Sequence, residues 1–160
     1  RVEVWRRPLA CSQIPLPTAL PAAAATWQDG RPTASGCPRG WTQYDYRCLR
    51  YISTPMTWTR AKRNCALLGG NLASVQNDWE NYQIQMLTYN NGCTQAWIGG
   101  SRKGTWIWSD GSPFRYNKWC QGRPDNDRFQ HCLYNYSGGQ CYDGTRCHHH
   151  LPSICARQMY

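Results

Sequence analysis

The side chains that could carry out catalysis are few. Asp125, Asp127 and Asp143 could supply the paired carboxylates of a glycoside hydrolase. Ser109 and Ser112 lie in a turn, and the sequence indicates no Ser-His-Asp arrangement around them. The chain has only two glutamates, and its even number of cysteines favours disulfides over a thiol nucleophile. We therefore predict a binding protein and not an enzyme.

A run of three histidines is the other group that could have a chemical role. Neighbouring side chains on an extended segment point to alternate sides, so His148, His149 and His150 cannot easily bind one ion. A zinc site also needs ligands from elsewhere in the chain, and His131 is the only other histidine. We predict a solvated loop here, with no metal and no cofactor.

Composition limits the class of protein. The chain has 160 residues, and its ten cysteines indicate an oxidising, extracellular compartment and therefore secretion. No apolar run approaches the roughly 20 residues of a membrane-spanning helix. Lysine and arginine number 18 against 9 acidic residues, which favours either an anionic partner or ordinary solubility. Because the basic residues are scattered, we predict no nucleic-acid partner.

The elements that must position any site begin after residue 36. Residues 1–36 contain five prolines and an alanine run, which is typical of a tail or leader. Residues 37–160 form the predicted domain. Strand-like composition occurs at residues 47–51 and 105–108. Thr57 can cap a helix that runs to Leu68, and Trp58, Ala61 and Cys65 then share one face.

A second helix is predicted to follow the first. Asn77 and Glu80 have the spacing of a capping pair. Trp79, Tyr82 and Met86 share one face of this helix, with Leu87 beside them. The chain from residue 96 onward is rich in turns and short strands. Together these elements predict an α+β fold with a long irregular region.

Several motifs then occur in a characteristic order. They are Cys37 to Trp41, Met56 to Trp58, Leu68 to Val75, Ala96 to Gly100, Trp106 to Gly111, Pro124 with Asp125, and Ser153 to Ala156. In this order and spacing the chain resembles a C-type lectin-like domain over residues 37–160. The resemblance implies two helices, two small antiparallel sheets, a long loop region and many disulfides.

The resemblance also implies a disulfide framework. Its expected pairs are Cys37–Cys48, Cys65–Cys155 and Cys132–Cys147. An additional pair, Cys120–Cys141, resembles the extra bridge of the fish type II antifreeze proteins, which use this domain. The bridge could brace a functional loop or could simply add stability. Cys11 and Cys93 remain without an assigned partner at this stage, although they could pair with each other.

Calcium-dependent members of this family bind the ion through loop oxygens, and here the pattern is degenerate. The corresponding positions are occupied by Arg123, Asp125, Gln130, Asp143 and Gly144. Arginine has no acceptor oxygen, and glycine has no side chain to offer a hard cation that prefers 6–8 oxygens. We predict that no calcium binds. Arg123 could pair with Asp125 or Asp143, or could simply be exposed to solvent.

The resemblance places the ligand-binding surface on the loop region around residues 112–146. Its predicted members are Lys118, Arg123, Asp125, Asn126, Arg128, Gln130, His131, Tyr142, Asp143 and Thr145. We predict a monomer that binds ice without calcium, as the type II antifreeze proteins do. The alternative is a calcium-independent lectin that binds anionic glycans through Lys118, Arg123, Arg128, His131 and Arg146.

Asn135, Tyr136 and Ser137 form a sequon for N-glycosylation. The sequon lies in or beside a strand directly after Cys132. A buried, unmodified asparagine and a glycosylated one are therefore both open.

Overall fold

The computed structural model describes Cys11 and residues 36–123 and 131–159. Within these residues the chain forms two helices and eight strands. In chain order they are β1 (Thr42–Tyr44), β2 (Arg47–Met56), α1 (Trp58–Leu67), β3 (Asn71–Leu72), α2 (Asp78–Asn90), β4 (Gln95–Lys103), β5 (Thr105–Trp108), β6 (Cys132–Tyr136), β7 (Cys141–Thr145) and β8 (Leu151–Gln158). The predicted α+β class and both predicted helices are confirmed. The tail predicted for residues 1–36 lies outside the described residues, apart from Cys11 and Gly36.

The strands form one mixed sheet, where the sequence predicted two separate antiparallel sheets. The order is β1-β2-β8-β4-β6-β7, with β3 added to β8 and β5 added to β4. Most neighbours are antiparallel, but β4 and β8 pair in parallel where Trp97 lies opposite Ser153. The prediction of two sheets is wrong because this short parallel contact joins the sheet of the chain ends to the sheet that carries the loop region.

Strand β4 lies at the centre of the core. Trp97 and Ile98 are fully buried there, and two glycines follow them. A Cβ on Gly99 would lie 2.7 Å from the carbonyl oxygen of Leu72, and one on Gly100 would lie 2.2 Å from the Leu133 side chain. Glycine is needed at both positions because neighbouring chain and side-chain atoms pack directly against the strand.

Helix α1 forms as its sequence predicts. The Thr57 side chain accepts a hydrogen bond from the backbone N–H of Arg60, which satisfies one of the free amides at the helix start. Trp58, Ala61 and Cys65 are buried on one face. The bridge from Cys65 to Cys155 attaches this face to β8.

Helix α2 begins at the predicted cap but packs with a different face. Asn77 accepts from the backbone N–H of Glu80, as expected for the capping pair. The aromatic face is not the packed one, since Trp79 is 52% exposed and Tyr82 is 49% exposed. The buried residues of this helix are Glu80, Asn81, Gln83, Ile84, Gln85 and Thr88. Most of their polar groups are accommodated by hydrogen bonds and by the Glu80–Arg47 ion pair, which spans 3.8 Å, whereas Gln85 Oε1 has no partner.

Five disulfides connect the described residues. The bridges Cys37–Cys48, Cys65–Cys155, Cys132–Cys147 and Cys120–Cys141 confirm the pairs that the sequence indicated. Cys11 pairs with Cys93, which settles the question that the sequence left open. No helix among the described residues is long and apolar enough to cross a membrane.

Candidate ligand-binding surface

The segment from Ser109 to Arg123 has no helix or strand of its own, yet it is firmly attached to strand β7. The backbone N–H of Cys120 donates to the carbonyl of Tyr142 at 2.9 Å, and that of Tyr142 donates to the carbonyl of Lys118 at 3.0 Å. The Cys120–Cys141 bridge joins the same two stretches covalently. Hydrogen bonds and a disulfide therefore both hold the loop against the sheet.

Aromatic side chains fill the space beneath this loop. Tyr142 lies with its ring centroid 5.0 Å from that of Trp119 and 6.1 Å from those of Trp108 and Phe114. Phe114 stacks on Trp108 at 4.7 Å. Such edge and stacked pairs add to the burial energy, by about 0.5–1.5 kcal/mol each. The cluster supplies a hydrophobic base for a segment that has no regular structure.

The Tyr142 hydroxyl connects this aromatic cluster to the loop backbone. It donates to the carbonyl of Tyr116 at 2.6 Å and accepts from the backbone N–H of Lys118 at 3.2 Å. Burial raises the pKa of Tyr142, so the hydroxyl stays protonated and keeps its donor role at neutral pH. The sequence predicts Tyr142 on the ligand surface, and that prediction is wrong because the side chain is fully buried.

Arg123 and Asp143 form a buried ion pair at the degenerate calcium position. Arg123 Nε lies 3.1 Å from Asp143 Oδ2, and the side chains are 10% and 2% exposed. Asp143 Oδ1 accepts from the backbone N–H of Gly144 at 2.7 Å, and the Tyr134 hydroxyl lies 3.5 Å from Oδ2. Of the alternatives left open for Arg123, the structure shows pairing with Asp143. The carboxylate therefore supports the surface from below and cannot contact a ligand itself.

These residues do not fit a calcium ion. A cationic guanidinium lies against the carboxylate that would have to ligate the metal, and Gly144 contributes only its backbone. The oxygens of Asp143 already accept from protein donors, so the pocket is electrostatically satisfied without a metal. Asp125 and Gln130, the other two positions of the family pattern, lie outside the described residues.

The remaining members of the predicted surface divide into two groups. Lys118 and His131 are exposed and Thr145 is half-buried, so all three can contact a ligand. Asp125, Asn126, Arg128 and Gln130 lie outside the described residues. Arg146, which the glycan interpretation added, is exposed.

The sequence contains two other candidate sites, a metal site at the histidine run and a glycosylation site at Asn135. Within residues 36–123 and 131–159, no three His, Cys, Asp or Glu side chains are grouped to hold a metal. His148 and His149 stack with centroids 4.8 Å apart, and burial together with the neighbouring cations lowers the pKa of His149.

Asn135 is 1% exposed and its Nδ2 donates to the carbonyl of Ala96 at 3.1 Å. The folded protein has no room for a glycan on that nitrogen.

The residues that support Tyr142 and Asp143 were not predicted from the sequence. Tyr116 receives the Tyr142 hydrogen bond through its backbone carbonyl, and Tyr134 reaches Asp143 from strand β6. A backbone acceptor leaves no sequence signal. A tyrosine on a strand has the same appearance whether or not its hydroxyl serves a neighbour.

Known proteins of similar sequence and structure share this fold. The sequence profile of the Lectin C-type domain matches residues 54–157. A type-2 ice-structuring protein of Hemitripterus americanus is 40% identical over 124 residues, which is 75% of this chain and 74% of that protein. The galactose-specific lectin nattectin of Thalassophryne nattereri is 34% identical over 137 residues, or 81% of this chain and 85% of nattectin. The crystal structure of a calcium-independent type II antifreeze protein superposes with a TM-score of 0.73 at 34% identity, covering 81% of this chain and all of that one.

Proposed function

This chain belongs to the C-type lectin domain family, and from that premise we propose that it is a secreted, calcium-independent ice-binding protein of the type II antifreeze kind. One observation carries the calcium-independent part of the proposal. The Arg123 guanidinium lies against Asp143 at the position where calcium-dependent members of the family place their ion. The similarity to type-2 ice-structuring proteins and to a calcium-independent antifreeze structure supports it.

The physical demand of ice binding agrees with the way the loop is built. An ice lattice offers many weak contacts and no deep pocket, so binding is favourable only when the surface is already ordered before contact. Here that order comes from the Cys120–Cys141 bridge, the Tyr142 hydrogen bonds and the Arg123–Asp143 pair. The loop therefore loses its conformational entropy during folding, and this loss does not weaken adsorption to ice.

The proposed ice-binding surface comprises the accessible members of the predicted set. Among the described residues they are Lys118, His131 and Thr145. The proposed surface also includes Asp125, Asn126, Arg128 and Gln130, which lie outside the described residues. The protein acts as a monomer, with ice as its partner and no cofactor. Five disulfides suit an extracellular location.

A glycan is the second candidate ligand. It is favoured by the similarity to the galactose-specific lectin nattectin and by the exposed cationic side chains around the loop. Lys118, His131 and Arg146 could donate charge-assisted hydrogen bonds to sulfate or carboxylate groups. Such binding would also proceed without calcium.

The test combines ice growth with steric block of the surface. Single ice crystals are grown in the wild-type protein and in the variants His131→Tyr and Thr145→Tyr, with Arg63→Tyr as a matched control on α1. We expect faceted crystals and thermal hysteresis from the wild type and the control, and a severalfold lower hysteresis from the two loop variants. If ice grows without facets at high concentrations of the wild-type protein, and the protein binds sulfated or sialylated glycans on an array, these results would support the lectin function instead.

A further inference from the structure

Exposed aromatic side chains are grouped at the start of helix α2. Trp79 is 52% exposed and Tyr82 is 49% exposed, and Tyr46, from the turn between β1 and β2, is 58% exposed. The Tyr46 hydroxyl donates to Glu80, which places this third ring against the first turn of the helix. Exposed apolar side chains that are grouped in this way mark an interaction surface. We call these three rings the α2 aromatic patch.

The rings of this patch are ordered without a partner. Trp79 and Tyr82 stack with their ring centroids 5.6 Å apart and an interplanar angle of 15°. The indole N–H of Trp79 donates to Asp45 Oδ2, and the Gln83 side-chain amide donates to the same oxygen at 3.2 Å. The stack covers one face of each ring and leaves the other face open to a partner. Because the surface is already ordered, it loses little conformational entropy when a partner binds.

Two carboxylates lie beside these rings. The described residues include three exposed carboxylates. Asp45 accepts the Trp79 hydrogen bond, and Asp78 lines the groove that continues from Tyr82, whereas Asp110 contacts neither ring. The whole chain has a formal net charge of +9, so a pair of carboxylates next to exposed aromatic rings is a local exception. The patch therefore attracts cations on a protein that repels them elsewhere.

Each of these two carboxylates has one oxygen left for an outside donor. Asp45 uses Oδ2 for the Trp79 and Gln83 donors, and Asp78 uses Oδ1 for the Tyr116 hydroxyl. Asp45 Oδ1 and Asp78 Oδ2 accept no hydrogen bond from the described part of the chain. An arginine guanidinium is planar and weakly hydrated, so it can stack on an aromatic ring and donate to a carboxylate at the same time. The patch therefore suits an arginine side chain.

An apolar groove continues from the patch along the helix. Its volume is about 390 Å³, and Tyr82, Met86 and Tyr89 line its helix side. Lys118 lines the opposite wall, so the negative side of the groove is the one at Asp78. A partner that fits both the patch and the groove has a basic side chain close to an apolar one.

We propose that the α2 aromatic patch and its groove bind a basic peptide segment of a partner protein, through an arginine next to an apolar residue. The guanidinium stacks on Trp79 and donates to Asp45 or Asp78, and the apolar side chain enters the groove. Charge complementarity selects this partner, because a neutral or acidic peptide gains only the apolar contacts. The proposal is independent of the ice-binding function, since these three residues are not members of the proposed ice-binding surface.

The experiment uses the full, oxidised chain and two fluorescently labelled peptides. One has the sequence Gly-Arg-Leu-Arg-Gly, and in the other both arginines are replaced by citrulline, which has nearly the same shape but no charge. Binding is measured by fluorescence anisotropy at low salt, with the protein raised to millimolar concentration. The variants are Trp79→Ala, Asp45→Asn and Asp78→Asn. Because asparagine still accepts the hydrogen bonds from Trp79 and Tyr116, the last two variants change mainly the charge.

Two controls match these variants. Asp110→Asn removes the third exposed carboxylate, which accepts hydrogen bonds from Ser74 and Ser112. Leu67→Ala removes an apolar side chain that is 80% exposed on α1. Analytical ultracentrifugation of the wild type and of Trp79→Ala monitors self-association, because a second copy of the chain is the competing occupant of the patch.

We expect saturable binding of the arginine peptide and no saturation by the citrulline peptide. Each of the three patch variants should raise the Kd about threefold, because each removes one cation–π contact or one charge pair. The two controls should leave the Kd unchanged. Non-specific attraction cannot give this result, since the protein as a whole carries the same sign of charge as the peptide.

Several outcomes would overturn the proposal. They are absence of saturation by the arginine peptide, equal binding of the citrulline peptide, an equal loss in Asp110→Asn, and a wild-type dimer that Trp79→Ala dissociates. Unchanged binding in Trp79→Ala, or in both of the other patch variants, would also overturn it. These side chains are on the surface, so the variants should fold. Ice faceting should be the same in Asp45→Asn and wild type, which separates this result from the proposed function.

Discussion

Replacement of Arg123 by methionine should destabilise the protein markedly, because it leaves the Asp143 carboxylate buried without its cation. The two side chains are 10% and 2% exposed and lie 3.1 Å apart. Removing one member of a buried pair costs about 3–5 kcal/mol. Asp143 keeps the Gly144 hydrogen bond, so we place the loss at the lower end, about 3 kcal/mol. For a chain of this size, that corresponds to a fall in Tm of roughly 6–12 °C.

The assay is a double-mutant cycle of thermal and urea unfolding with all disulfides intact. It includes Arg123→Met, Asp143→Asn and the double variant, with Arg63→Met on the exposed face of α1 as a control. Since the double variant contains neither charge, it should be more stable than Arg123→Met alone, which gives a clear coupling energy. The control should change stability by less than about 0.5 kcal/mol. A similarly small effect for Arg123→Met would refute the assignment of a buried, mutually compensating pair.

Three further outcomes follow from the structure. Joint replacement of Cys120 and Cys141 by serine opens a loop with a sequence separation of 21 and should lower the free energy of unfolding by about 3 kcal/mol. If the bridge orders the surface, the variant should lose ice faceting at temperatures where it is still folded. Protein expressed through a secretory pathway should carry no glycan at Asn135, so its intact mass should be that of the unglycosylated, oxidised chain, and a glycosylated mass would contradict the buried amide. Burial raises the pKa of Tyr51 from 10.0 to about 12, so alkaline absorbance titration should show a late phase, to which Tyr44, Tyr46, Tyr116 and Tyr142 also contribute, and Tyr51→Phe should reduce its amplitude by one tyrosine. Because the folded state retains that proton longer, stability should fall as pH rises from 10 towards 12, and a flat profile would argue against it.

Much of the fold was predictable because its signals are local or ordered along the chain. Thr57 and Asn77 cap their helices through side chains that reach only three residues ahead. Four disulfides followed from the order of the cysteines within the family pattern. The joining of the sheets was not predictable, because it depends on one parallel contact between distant strands.

The site was predicted less well, because burial is a tertiary property. Tyr142 and Asp143 are polar residues in a loop region and therefore appeared suited to a surface, yet the aromatic cluster and Arg123 cover them. Helix α2 shows the reverse case, since Trp79 and Tyr82 are apolar but exposed. In both cases the buried polar groups depend on partners that include residues distant in sequence, such as Arg123 for Asp143 and Arg47 for Glu80.

Thermal hysteresis in the presence of a chelator tests the central claim most directly. If the Arg123–Asp143 pair replaces calcium, hysteresis and crystal faceting should be identical in excess chelator and in millimolar calcium, and the Tm should not respond to calcium. Loss of hysteresis on chelation, or a rise in Tm with calcium, would contradict the account, because it would show that the loop is ordered by a metal and not by its own ion pair.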